Sequence, residues 1–238
     1  MDSNELIESL TGLLGADKVS SAAAVIEEHS IDKWLVSHPP DVVVFAESTE
    51  DVVVVMKFAG ENDVPVTTRG AGVGYVGGAV PMDGGIVLSV ARMDEVKEIN
   101  PADGVAVVGP GVITGDLQDA AREVGWFYPP DPASLKECSI GGNVATNAGG
   151  PRCLKYGVTR HYVLGLEVVL ADGSVAKLGG RCHKNKTGFD LIGMFVGSEG
   201  LLGIVTEITC RLIPNPPARS MLSASFKTFA EAAGAVQA

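Results

Sequence analysis

The chain has 238 residues, 46% of them hydrophobic and 20% charged, with a net charge of −11. That is the balance of a globular protein with a real core, and its acidic surface argues against nucleic acid as a partner. No apolar run approaches the ~18 residues of a membrane span, and the acidic start Met1-Asp-Ser-Asn-Glu5 has no basic leader. A cytoplasmic protein without a transmembrane segment is therefore expected, associated with a membrane at most through a partner. The four cysteines (Cys138, Cys153, Cys182, Cys210) form no C-x-x-C pair, which points to reduced thiols and away from a zinc or iron–sulfur site.

Apolar residues Leu6, Ile7, Leu10, Leu13 and Leu14 recur at helical spacing, with Gly15 as a stop. Ser20 or Ser21 is expected to cap a short helix through Val25 and Ile26. Residues 41–45 (Asp-Val-Val-Val-Phe) read as a buried strand. Ser48-Thr-Glu-Asp51 opens a helix with acidic residues in its first turn, running to about Ala59 and ended by Gly60. Residues 64–68 are the next strand, parallel to the first across this strand–helix–strand unit. Strands follow at 85–89, 96–100 and 105–108, then a helix from Thr114 to Glu123. The Gly-, Pro- and Asn-rich stretch 128–151 reads as a long ordered loop around a ligand. Residues 163–170 and 174–177 flank an Asp-Gly turn and form a hairpin. A strand at 203–212 precedes the break Pro214-Asn-Pro-Pro217, and the tail opens a new unit with a strand near 222–226 and a helix from Phe229.

Thirty glycines are an excess over a usual share of roughly 7%, and they cluster. The first cluster reads Arg69-Gly-Ala-Gly-Val-Gly-Tyr-Val-Gly-Gly78. Gly72, Gly74 and Gly77 satisfy G-x-G-x-x-G, yet a Rossmann fingerprint must open a helix. Here Ala79-Val-Pro-Met-Asp-Gly-Gly85 follows, which is no helix. A glycine loop between strands can still turn successive N–H groups toward one anion. The second cluster, Cys138-Ser-Ile-Gly-Gly-Asn-Val-Ala-Thr-Asn-Ala-Gly-Gly150, offers small residues and short polar side chains suited to the edge of a heteroaromatic ring. In the third, Val196 to Thr206, Glu199 either meets a ribose hydroxyl or caps main-chain N–H groups. None of His29, His38, His161 and His183 has metal-ligand spacing. Lys155 and Lys186 are candidates to approach an anionic substrate, though each reads more simply as a surface lysine.

These clusters, with Pro129-Pro-Asp-Pro132, Leu154-Lys-Tyr-Gly157, the stretch 164–173 and Phe195-Val-Gly-Ser-Glu-Gly200, resemble the FAD-binding, PCMH-type domain of the vanillyl-alcohol oxidase family. The resemblance covers roughly residues 41–214. It is nearest the branch of glycolate oxidase D subunits and D-lactate and D-2-hydroxyglutarate dehydrogenases. It implies an α+β fold of two α/β subdomains, a small parallel-sheet unit (about 41–105) and a mainly antiparallel unit with helices (106–214). A helical segment (1–40) precedes them and the start of a truncated substrate domain (215–238) follows.

By the same resemblance FAD lies between the subdomains. Arg69, Gly70, Ala71, Gly72, Val73, Gly74, Gly77 and Gly78 would serve the diphosphate. Asp131, Ser139, Gly142, Asn143 and Thr146 would line the flavin and ribityl region, Glu199, Gly200 and Ile204 would complete the adenosine and isoalloxazine contacts, and Pro130, Gly141 and Gly149 also belong to the implied cofactor site. The first loop has no histidine, where some members attach the flavin, so non-covalent FAD is expected. Val73, Gly74 and Val76 stand where relatives often carry hydroxyls.

The implied reaction is hydride transfer from a small D-2-hydroxy acid to flavin N5, giving the 2-oxo acid. Electrons would pass to a quinone or an acceptor protein, and the chain would serve within a hetero-oligomer. The catalytic base and carboxylate clamp are expected mostly outside these residues. The alternative is an FAD-binding fragment or subunit without turnover of its own. A reductase of peptidoglycan precursors shares the general fold, but residues 140–157 and 164–173 argue against it.

Overall fold

The computed structural model describes residues 2–33 and 36–237. Helix α1 (Ser3–Leu14) starts where the Asp2 carboxylate accepts the N–H groups of Asn4 and Glu5, and ends at Gly15 as expected. Leu6 and Leu10 bury its inner face. Strand β1 (Val19–Ser20) leads to α2 (Ala23–His29). This helix starts at Ala22 without a side-chain cap, so neither Ser20 nor Ser21 caps it. Ser20 instead accepts the Ala22 N–H at 3.3 Å, before the helix begins.

The first sheet has the order β1-β2-β4-β3. β2 (Val42–Phe45) and β3 (Val66–Arg69) each pair in parallel with β4 (Ile86–Ser89), and β1 joins β2 antiparallel. The two strands of the strand–helix–strand unit are thus parallel, but β4 is inserted between them. Between β2 and β3 runs α3 (Thr49–Asn62), opened by a capping box in which Ser48 and Asp51 exchange side-chain and main-chain hydrogen bonds. It runs past Gly60 to a left-handed Asp63, a residue that tolerates this conformation. Val52, Val55 and Ala59 recur along its buried face.

The chain leaves the first sheet after Ser89 and enters the second at β5 (Val96–Asn100), earlier than the expected change at 105–106. β5 and β6 (Val105–Val108) form a hairpin, followed by α4 (Thr114–Glu123) and β7 (Trp126–Phe127). Residues 128–151 are not all loop: Ile140–Thr146 form helix α5. Gly141 and Gly142 have poor helix propensity, but tertiary contacts outweigh it. Ile140 and Val144, one turn apart, are fully buried, and Gly141 lies so close to Pro110 that a Cβ there would meet the proline Cβ at 2.6 Å.

A short turn α6 (Cys153–Tyr156) and a 3-10 turn (Thr159–Tyr162) lead into the hairpin of β8 (Val163–Val169) and β9 (Val175–Gly179). Then come α7 (Leu191–Phe195) and β10 (Ile204–Arg211). The second sheet is antiparallel throughout, in the order β5-β6-β10-β8-β9. β11 (Ile213–Pro214) pairs with β7. The tail has helix α8 (Phe229–Gln237), but residues 222–226 form no strand.

Each sheet has its own core. One gathers Leu117, Tyr128, Ile140, Val144, Leu166 and Ile208 around the second sheet. The other gathers Leu10, Val42, Val44, Val55, Ile86 and Leu88 around the first. Val169 of β8 and Ile204 of β10 are buried in the core of the first sheet, and α3 packs against both strands. The two units therefore share apolar packing at their joint.

Candidate functional site: three loops meeting at one place

The first glycine cluster leaves the end of β3, and its neighbours come from distant parts of the sequence. A Cβ on Gly70 would lie 2.5 Å from the Ser139 hydroxyl, so the first loop runs directly against the start of α5. At the other end of that loop a Cβ on Gly78 would stand 3.7 Å from a Glu199 carboxylate oxygen. The third loop is tied to the end of α5: Gly197 donates to the Val144 carbonyl at 2.9 Å and Glu199 to the Ala145 carbonyl at 2.8 Å. Helix α5 is therefore the hub on which the three sequence clusters converge.

The donors of that hub are already used. Ile140 donates to the Val112 carbonyl, Gly141 to the Pro110 carbonyl and Gly142 to the Ser139 hydroxyl. The first loop differs. Among the described residues, no protein acceptor takes the N–H groups of Ala71 to Val76. Val73 is half-buried, Gly74 to Val76 are exposed, and a Cβ on Gly77 or on Gly200 would find no atom within 4 Å. A row of unused main-chain donors beside open space suits an anionic group such as a diphosphate.

What holds this loop open is a buried cation. The Arg69 guanidinium is turned away from the loop face and donates to the Ile31 carbonyl at 2.8 Å and more distantly to the carbonyls of Glu28 and Ala79. Burial lowers its pKa, an effect opposed by the Glu28 and Asp32 carboxylates. Gly72 sits at φ 67°, and a Cβ there would fall 2.2 Å from Arg69 Nη2, so the loop turns tightly over the guanidinium. Asp32 accepts the Gly77 N–H at 2.9 Å, and Lys33 donates its main-chain N–H to the Gly74 carbonyl at 3.1 Å. The Lys33 side chain then pairs with Glu137, so this segment straps the first loop to the approach of the second. Nothing in the local spacing of Ser30-Ile-Asp-Lys33 announces that role, because its partners lie some 40 to 100 positions further along the chain.

The remaining expected residues divide by what their side chains do. Ser139 is buried and caps α5, while Thr146 is exposed and donates to the Gly142 carbonyl. The Asn143 amide is turned inward onto the Thr114 hydroxyl, and the Pro130 carbonyl accepts from Gln118 at 2.7 Å. Asp131 forms an ion pair with Arg152 at 3.0 Å. There the chain crosses itself closely: a Cβ on Gly150 would overlap the Asp131 carbonyl, so only glycine fits. Gly149 packs against Cys153 and Val158, and the Ile204 side chain belongs to the core. The Glu199 carboxylate takes no protein donor among the described residues; its left-handed backbone (φ 55°), not its side chain, makes the local hydrogen bond. Lys155 lies 5.1 Å from the Tyr156 ring centroid, and Lys186 sits on the exposed segment 180–190.

An α+β scaffold that brings an open row of main-chain donors to the seam of two sheets defines a cofactor-binding domain of the dinucleotide-holding kind. Comparison with known proteins specifies it. The "FAD binding domain" family matches residues 40–179. The chain is 45% identical to the glycolate oxidase subunit GlcD of Bacillus subtilis over 83% of its own length and 42% of that protein's. It is 46% identical to a D-lactate dehydrogenase of Anaerostipes hadrus over 74% of this chain and 37% of that one. A solved structure of p-cresol methylhydroxylase with substrate bound superposes with a TM-score of 0.78, at 28% identity over 90% of this chain and 44% of that one. The chain belongs to the FAD-binding domain family of PCMH type, and its cofactor is FAD. It spans about half or less of the length of these relatives.

The residues present fit that cofactor. The free N–H groups of the first loop match the diphosphate, and the glycine-lined space beside them leaves room for it.

Proposed function

We propose that this chain is the FAD-holding part of an oxidoreductase that converts a small D-2-hydroxy acid, of glycolate or lactate type, to the 2-oxo acid. The reading rests on the convergence of three loops at α5 beside an open row of main-chain donors, in a chain 45% identical to a glycolate oxidase subunit. Bound FAD would supply the acceptor for a hydride from the substrate α-carbon, with a quinone or an acceptor protein as the destination of the two electrons. The protein binds and orients the group. Main-chain donors of residues 71–76 hold the diphosphate without a covalent link. The packed underside of the loop, built on Arg69 and Asp32, keeps those donors preorganised. The main chain at 139–149 and 199–200 lines the remainder. The base that takes the hydroxyl proton and the group that clamps the carboxylate belong to the part of the enzyme beyond these residues.

The test is an absorbance spectrum of the purified protein with added FAD, before and after anaerobic glycolate or D-lactate. Oxidised flavin bands at about 370 and 450 nm are expected to stay with the protein through gel filtration and to move to the small-molecule fraction after denaturation, as for dissociable flavin. Absence of those bands would sink the proposal. Bleaching by substrate marks a competent half-reaction. Bands that persist with substrate favour a second reading, an FAD-holding unit without turnover of its own.

A further inference from the structure

Where helix α3 of the first unit meets the second sheet, both share one carboxylate. Glu167 of β8 is largely buried, its side chain 13% exposed. Its Oε1 accepts the Thr49 hydroxyl at 2.7 Å, and Thr49 is the first residue of α3. The same oxygen accepts the Thr206 hydroxyl of β10 at 3.0 Å. Lys177 of β9 reaches Oε2 at 3.0 Å from a side chain that stands mostly in solvent. Thr206 is fully buried and is the extra residue of a β-bulge: Val205 pairs with Val168 and Glu207 with Glu167, which leaves Thr206 with no residue opposite. A carboxylate at the start of a helix is also favoured by the helix dipole. Burial alone would raise the Glu167 pKa, but the hydrogen bonds from Thr49, Lys177 and Thr206 outweigh it and hold the group below the ordinary carboxylate range.

We propose, building on the reading under Proposed function, that Glu167 is a positioning residue: it latches α3 to the second sheet and so fixes the angle at which the first glycine loop faces the loops at 139–149 and 196–206. The apolar part of the joint, Val169 and Ile204, holds the units together but sets no direction, because apolar burial is non-directional. Two hydroxyls converging on one carboxylate oxygen do set a direction. A buried charge adds little net stability once its desolvation is counted, so orientation is what this one contributes. Its place in the fold gives that orientation a consequence. Thr49 follows the carboxyl end of β2, the same end of the first sheet from which the first loop leaves β3. Only β4 separates β2 from β3, so the two strand ends lie about 10 Å apart. A tilt of α3 on the second sheet therefore carries the first loop with it, and a misplacement of ~1 Å at a reacting centre costs on the order of 10²-fold in rate. A ligand that bridges both units gains its second contact through geometry and feels the tilt, whereas a ligand held by the first loop alone does not.

The experiment titrates the flavin-free 238-residue chain by calorimetry with FAD, which bridges both units on this reading, and with inorganic pyrophosphate, which engages the first loop alone. The natural sequence is compared with Glu167→Ala, Thr206→Val and Thr206→Ser, and circular dichroism establishes which variants are folded. Glu167→Ala should weaken FAD by at least about tenfold and leave pyrophosphate unchanged. Thr206→Val removes the hydroxyl with little change of shape and should weaken FAD in the same direction, and Thr206→Ser should restore it. The two threonine variants decide the matter if Glu167→Ala does not fold. FAD bound as tightly by the folded variants as by the natural chain overturns the latch while the proposed function stands. An equal loss of FAD and pyrophosphate also overturns it, since the loop itself would then be damaged and Glu167 merely structural. Thr206→Ser as weak as Thr206→Val overturns it too, by assigning the effect to the packing of the methyl group. If the natural chain takes up no FAD, the proposed function itself fails and the latch with it.

Discussion

Gly72 and Arg69 show how a binding loop depends on what lies beneath it. From the loop pattern alone, a side chain at Gly72 is expected to crowd the bound anion. In the structure the crowding is on the opposite side, since a Cβ would meet the guanidinium 2.2 Å away in a backbone with φ 67°. Gly72→Val therefore carries left-handed strain of roughly 1–2 kcal/mol and displaces a buried cation. It is expected to abolish flavin retention, read as the ratio of 450 nm to 280 nm absorbance after gel filtration. Normal flavin occupancy in Gly72→Val would remove the loop from the site. The thiols give a second prediction at this scale. Cys138 and Cys210 are buried, burial pushes Cys210 up to about 12, and Cys182 is exposed. A thiol reagent at pH 8 should label Cys182 first, Cys153 more slowly, and the other two only after unfolding. Intact-mass spectrometry follows the order, and early labelling of Cys210 would mean that the core of the second sheet opens readily.

Helix α3 joins both sheets, so its cap is a stability device for the whole molecule. Removing the Ser48 hydroxyl costs about 1 kcal/mol, and Ser48→Ala should lower Tm by roughly 2–4 °C in a chain of this size. Asp51 adds a pH dependence. Its burial alone would raise its pKa, but hydrogen bonds from Lys18 and from the main chain of Glu47 and Ser48 outweigh that and hold it below the ordinary range. A carboxyl depressed in the folded state contributes stability that is complete above its unfolded value, about 3.9. That contribution disappears as pH falls through the lower folded value. Below about pH 4, Tm should therefore fall more steeply for the natural chain than for Asp51→Asn. Equal slopes would show that the Lys18–Asp51 contact is not maintained in solution.

The elements most legible in the sequence were those with a local signal. Helices α1 and α4, the capping box at Ser48 and the hairpin around Asp172-Gly173 each follow from spacing or turn chemistry within a few residues. Helix α5 was missed because its two glycines mimic a loop, and its stability comes from Pro110, Thr114 and the third loop, all distant in sequence. The three clusters of the site were legible as clusters. Which atoms face the open space was not, because Arg69, Asn143 and Asp131 reach partners 21 to 41 positions away.

At the scale of the molecule, large apolar side chains remain outside either core. Phe189 and Leu201 are 92% and 87% exposed, and Leu154 is fully exposed. Scattered exposed apolar residues are ordinary, but large ones this exposed, with Leu201 directly after Gly200 of the third loop, mark candidate contact surfaces. The chain by itself is expected to self-associate with rising concentration, and Phe189→Ser with Leu201→Ser should reduce this. Sedimentation velocity reads the outcome, and an unchanged monomer across micromolar to millimolar concentration would show that these side chains do not form a sticky face.

The second sheet places β10 at its centre, with Val108 of β6 opposite Ile208. During synthesis on a ribosome, β6 emerges roughly one hundred residues before the strand it must pair with. At about 5–20 residues per second that is a delay of roughly 5–20 s. Through that interval the β5–β6 hairpin presents an unpaired edge, the kind of edge other chains can join. The first sheet also waits, since Val169 and Ile204 complete its core. A nascent chain therefore displays its glycine loop long before Glu199 arrives beside Gly78. Cofactor capture belongs after release of the strand at 204–211, and slowing translation over residues 109–203 should raise the demand for chaperones rather than the yield of flavin-loaded protein.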